Sequence, residues 1–205
     1  LQRLRELCTK HDILLIFDEV ITGFGRLGAP FGSHYFGVKP DLLTMAKAIN
    51  NATVPMGAVA ASREIYDTVT SQSQTPIELF HGYTMTAHPL ACAAGLATLD
   101  VFREQGLFER AAELAPYWED ALHSLRDARH VIDIRNLGLI GGIEMEPRAG
   151  KPTARALEAF RACFDAGLLV RVTGDIIALS PPLIVEKAHI DQMVDTIRSV
   201  LQRLE

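Results

Sequence analysis

Two acids and a lysine stand at the ends of apolar runs. Asp18 and Glu19 directly follow ILLIF (13–17), and Lys47 directly follows DLLTMA (41–46). Carboxylates at the end of a buried strand lie where open α/β sheets bind ligands. Three readings of the acidic pair compete. The first is a helix cap or loop acid. The second is a Walker-B-like acid on Mg²⁺, which needs a GxxxxGK[ST] loop; Gly150-Lys151-Pro152-Thr153 has neither the residue nor the spacing. The third is an acid held beside a cationic ring nitrogen, as pyridoxal phosphate requires. Lys47, flanked by apolar residues in MAKAI, has two readings. Either its stem snorkels at a strand end, or its amine is desolvated and kept neutral, as Schiff-base chemistry needs.

Further along, His81, Tyr83, Thr84, Thr86 and His88 cluster in HGYTMTAHP. Two histidines at this spacing lack a third ligand, so the cluster is a poor metal site, and no metal is expected. Hydroxyl and N–H donors just before a helix can hold a phosphate; a polar turn with proline at the first helical position explains the residues equally well. Arg171 lies between valines in LLVRVTGD. A half-exposed strand face accounts for it, and so does bidentate binding of a carboxylate. Gly23-Phe24-Gly25-Arg26-Leu27-Gly28 matches GxGxxG formally. The first glycine should follow the strand at once and a helix should open behind the motif. Neither holds here, so the stretch reads as a loop.

The elements that must position these residues follow from the pattern. LQRLRELCTK reads as an amphipathic helix. ILLIF reads as a strand buried on both faces of a parallel sheet, DLLTMA and GAVAAS (57–62) as two further strands, and the glycine-rich 23–37 as loop. REIYDTV starts a short helix, and SQSQTP (71–76) is a polar loop. From His88 helices take over, with Pro116 requiring a kink or a new start. HVIDIRNLGLIGGIEM (130–145) reads as two short strands around glycine breaks. TARALEAFRACFDAG is a helix with Gly167 near its C-cap. LLVRVTGDIIALSPP reads as a hairpin around Thr173-Gly174-Asp175, and an amphipathic helix closes the chain. The expected division is 1–105, part of a large sheet domain with its linking helix, and 106–205, a small α+β domain.

Net charge is −5 over 205 residues, which argues against nucleic acid as the main partner. No apolar run approaches a membrane span. The three cysteines lie far apart and read as reduced side chains of a cytoplasmic protein. The sequence opens on Leu1 in a helical pattern, so it reads as starting inside a longer chain.

Taken in order, LLIFDEVITGFGR, PDLLTMAKAI…VPMGAV, FHGYTMTAHPLACAAGLA and GLLVRVTGDIIALSPPLI resemble the class III (omega) aminotransferases, within them the beta-alanine–pyruvate or omega-amino acid–pyruvate group. The resemblance spans essentially the whole sequence. It implies a pyridoxal-phosphate-dependent fold of type I, an α/β fold with part of a mostly parallel-sheet domain followed by a small α+β domain. It implies that Asp18 pairs with the pyridine nitrogen, Val20 packs on the ring and Lys47 bonds the cofactor and shuttles the proton. Tyr83 and Thr84 would reach the phosphate in a neighbouring subunit, which implies a homodimer or a dimer of dimers with shared sites. Arg171 would bind the carboxylate of pyruvate or of the amino acid. The reaction implied moves an amino group from an omega-amino acid or amine to pyruvate. Another class III activity, on GABA or ornithine, and a truncated non-catalytic fragment are the alternatives. Family members are longer at the N-terminus, where a glycine/serine loop on the phosphate and an aromatic on the ring are implied. Asn50-Asn51-Ala52-Thr53 and Met85-Thr86 depart from the family's glycine-containing turn and aromatic–Ser pair.

Overall fold

The computed structural model describes residues 1–71, 79, 81 and 83–205. All of SQSQTP beyond Ser71 lies outside them. The chain divides into two compact units, Leu1–Phe108 and Glu109–Glu205.

The first unit opens with helix α1 (Gln2–Lys10), which leads into β1 (Ile16–Asp18). β2 (Leu42–Met45) pairs parallel to β1, and β3 (Ala58–Ala61) pairs antiparallel to β2, so the described sheet runs β1-β2-β3. ILLIF forms a strand only at its end, and it is packed on one face. Leu15 is buried with Cys8 and Val38, with Phe17 packed against them. Leu14 and Ile16 turn outward, 59% and 58% exposed. Successive strand residues face opposite sides, so a continuous apolar run supplies two apolar faces. Within the described residues β1 ends the three-strand order, and only its Leu15–Phe17 face is covered.

The 23–37 stretch is not all loop. It ends in a short helix α2 (Gly32–Phe36), closed by Gly37 at φ 62°. Before that helix, Phe24 and Leu27 are buried, and the Phe24 and Phe31 rings meet edge to face at 5.1 Å. After β3 come α3 (Arg63–Ser71) and α4 (Pro89–Glu104), with Pro89 in its first turn as expected of proline at a helix start.

The second unit holds most of α5 (Leu107–His123), which contains Pro116 within one helix. Its sheet is wholly antiparallel and runs β4-β5-β7-β6, from β4 (Val131–Leu137), β5 (Ile140–Met145), β6 (Arg171–Thr173) and β7 (Ile176–Leu179). Both hairpins close over two residues, Gly138-Leu139 and Gly174-Asp175, each beginning with a glycine at positive φ. That backbone region is the one such tight turns demand. α6 (Ala154–Asp165) and α7 (Lys187–Arg203) complete the unit. Its core is Trp118, Leu122, Ile143, Ile177, Ile190 and Ile197, all fully buried. Gly141 and Gly142, read as breaks, lie inside β5. A Cβ on Gly141 would stand 2.3 Å from Leu122 Cδ1 and 3.3 Å from Trp118 Cζ2, so glycine here lets α5 approach the sheet.

Candidate active site

The parallel pairing of β1 with β2 brings the two chemical segments side by side. Asp18, the last residue of β1, is in register with Thr44, and the Glu19 N–H donates to the Thr44 carbonyl at 2.9 Å. Three residues after Thr44, Lys47 begins a 3-10 turn, Lys47–Ile49. The acid and the lysine thus leave adjacent C-terminal strand ends, the edge at which α/β sheets bind ligands.

Asp18 is exposed at this edge, and one of its oxygens accepts from the Val20 N–H at 3.0 Å. That bond makes a short turn which sets the carboxylate's direction. Val20 is half-buried beside it. Of the acidic pair, the buried member is Glu19, 2% exposed. In the following loop, burial lowers the pKa of the Arg26 guanidinium.

Lys47 is exposed and has φ 49°. Non-glycine residues enter this left-handed region only where the surroundings require it. Several contacts supply that requirement. The Ala52 N–H donates to the Lys47 carbonyl at 2.9 Å, and Asn50, almost fully buried, donates its Nδ2 to the Val54 carbonyl at 2.6 Å. Asn51 and Ala52 also have positive φ, 53° and 55°. From the other side α4 packs close: a Cβ on Gly95 would lie 3.6 Å from the Ile49 carbonyl.

Tyr83 and Thr84 precede α4, both exposed. Tyr83 has φ 52°, its N–H donates to His81 Nδ1 at 3.1 Å, and its carbonyl accepts from the Thr86 N–H at 3.0 Å. Among the described residues no group of three His, Cys, Asp or Glu side chains could hold a metal ion. Arg171 belongs to the second unit. It opens β6 opposite Ala178 and is exposed. It lines an apolar cavity of about 920 Å³ together with Leu157, Phe160, Val170, Ile184 and Met193. Sequence reasoning passed over Glu19 as a separate actor and Asn50 as the turn's internal anchor. Glu19 was visible only as the second member of the acidic pair, and Asn50 only as a departure from a glycine turn.

Comparison with known proteins bears on this arrangement. The family model for aminotransferase class-III matches residues 1–201. The chain belongs to the class III aminotransferases. It is 69% identical over its whole length to the omega-aminotransferase of Caulobacter vibrioides, covering 47% of that protein. It is 51% identical over 98% of its length to the beta-alanine–pyruvate aminotransferase of Pseudomonas aeruginosa, covering 45% of it. Among solved structures, a transaminase with L-ala superposes at TM-score 0.92 with 32% identity, over 98% of this chain and 49% of that one. An (S)-enantioselective omega-transaminase from Thermomicrobium roseum superposes at TM-score 0.90 with 34% identity, over 98% of this chain and 45% of the other. The α/β fold is therefore that of the transaminases. The chain spans about half the length of the curated relatives it matches. Plant gamma-aminobutyrate transaminases are more distant, at 37% identity for that of Solanum lycopersicum. Among the described residues no helix is long and apolar enough to cross a membrane.

Proposed function

We propose that this chain carries the lysine-bearing part of a pyridoxal-phosphate-dependent transaminase that moves an amino group from an omega-amino acid, such as beta-alanine, or an amine to pyruvate. The observation that carries the reading is the pair of strand ends. An acid and a lysine leave adjacent parallel strands at the same edge, the Asp18 carboxylate accepting from the Val20 N–H and the Lys47 carbonyl from the Ala52 N–H. This donor set fits the cofactor: a carboxylate for a cationic ring nitrogen, and a primary amine for an aldehyde. Pyridoxal phosphate, when bound, supplies a ring that withdraws electrons from the carbon bearing the amino group.

The chain's own residues supply the rest. Asp18 would accept a hydrogen bond from the ring nitrogen and keep its proton in place. Val20 would cover the ring face and exclude water. Lys47 would hold the cofactor through Nζ; displaced by the substrate's amino group, the freed amine would then take the proton from the donor carbon and return it to the cofactor. Tyr83 and Thr84 would hold the phosphate in the neighbouring subunit of a homodimer, or of a dimer of dimers. Arg171 would bind the substrate carboxylate through its guanidinium fork. The relatives named as omega-amino acid–pyruvate and beta-alanine–pyruvate enzymes support pyruvate as acceptor, and a cytoplasmic location goes with this reading.

The test is alanine formation from beta-alanine and pyruvate in the presence of pyridoxal phosphate. Lys47→Ala should abolish it. Arg171→Ala should raise KM for pyruvate about 10- to 100-fold, as expected for losing a charge-assisted pair. Alanine formation that survives Lys47→Ala would refute the assignment.

A further inference from the structure

Glu19 is the most enclosed charged side chain at the strand edge, and the chemistry above does not use it. Three donors converge on its carboxylate. The Thr22 hydroxyl and the Gly32 N–H donate to Oε2, the latter at 2.7 Å, and the Ser33 N–H donates to Oε1 at 2.7 Å. The backbone of Glu19 is tied as well. Its N–H donates to the Thr44 carbonyl of β2, and its carbonyl accepts from the Gly23 N–H, both at 2.9 Å. Space around it is closed. A Cβ on Gly23 would lie 2.7 Å from the Glu19 carbonyl oxygen, and one on Gly32 would lie 3.0 Å from Oε2. One residue thus joins the end of β1, the end of β2 and the start of α2.

We infer that Glu19 is a positioning residue: it fastens the 22–33 turn against the two strand ends and so fixes the backbone from which Asp18 and Lys47 project. The inference rests on the cofactor reading above for its functional meaning. Asp18 is covalently next to Glu19, and Thr44 is its hydrogen-bonded neighbour three residues before Lys47. A carboxylate with three donors in a buried place holds its rotamer firmly, because charge-assisted bonds are strong and losing one leaves a buried group unpaired. Glutamine keeps the shape, but its amide nitrogen must face an N–H donor. Glu19→Gln therefore breaks the clamp while adding no cavity.

A turn anchor with no wider role would also lose those bonds, so the test reads the strand ends. Amide hydrogen exchange is measured on the full chain without cofactor, and pyridoxal phosphate is titrated through its visible absorption. Glu19→Gln should speed exchange about tenfold at positions 32 and 33 and also at positions 19 and 20, and should weaken cofactor binding about tenfold, the equivalent of one charge-assisted hydrogen bond. If that variant does not fold, Thr22→Val, which spares both amide bonds, should give about a threefold change in the same quantities. Unmoved exchange at positions 19 and 20 would overturn the inference, as would unchanged affinity in a chain that binds the cofactor. Failure of the wild-type chain to bind pyridoxal phosphate would sink only the cofactor reading, because exchange at the strand ends still decides the positioning claim.

Discussion

Asp41 stands at the entry of β2, where its Oδ2 accepts from Arg5 Nη1 and from the Leu15 N–H, each at 2.6 Å. The Arg5 hydrogen bond above all, then the Leu15 N–H, holds its carboxyl below the usual 3.8. A depressed folded-state pKa adds stability above the unfolded value, and that stability is lost as pH falls through the folded one. Asp41→Asn should therefore cost about 1 kcal/mol at neutral pH. The gap from wild type should close as urea melts are taken below pH 3.8; a gap constant with pH would contradict the pairing. At this scale much was legible. Acids behind ILLIF and a lysine behind DLLTMA give their positions away, because an apolar run followed by polar residues marks a strand end. The burial of Glu19 was not legible. Besides the nearby Thr22 hydroxyl, its partners are the amides of Gly32 and Ser33, thirteen and fourteen residues away, and nothing local announces that the loop folds back. Asn50 was hidden for a different reason: its bond to Val54 is local, four residues on, but depends on a turn whose positive-φ backbone at Asn51 and Ala52 no side-chain pattern announces.

The elements show where sequence patterns mislead. Gly141 reads as a break but sits within a strand, since a helix side chain occupies the place of its Cβ. Gly141→Ala should push against Leu122 and Trp118, both fully buried, and lower stability by about 1–3 kcal/mol. A thermal melt unchanged from wild type would show that α5 can retreat. Helices and hairpins were legible because their signals are local: Gly174 marks a two-residue turn, and Gly167, at φ 82°, closes α6. The short helix α2 was hidden among glycines. It exists because Glu19 satisfies the N–H groups of Gly32 and Ser33, the first two helical residues. The apolar run at 13–17 states that both faces of β1 are apolar; the described residues cover the one that carries Leu15 and Phe17.

Among the described residues, several large apolar side chains are exposed. Leu14 and Ile16 face outward on the β1 run, and α4 exposes Leu90, Leu96 and Leu99. A contiguous exposed apolar patch marks a contact surface. The homodimer proposed above needs such a surface, and α4 follows directly on the Tyr83-Thr84 segment that would serve the neighbouring subunit. Leu96→Glu, at a position 66% exposed, should keep the fold and shift sedimentation toward the monomer; an unchanged sedimentation coefficient would place the contact elsewhere. The family was legible in the sequence because four motifs keep one order along the chain. The span of about half the relatives' length makes it worth asking first whether the cofactor is held at all. Borohydride reduction of the chain with pyridoxal phosphate, followed by peptide mapping, answers that directly. Label concentrated on Lys47 is the expected result. Label scattered over surface lysines, or none, would contradict the assignment of Lys47 as the residue that holds the cofactor in this chain.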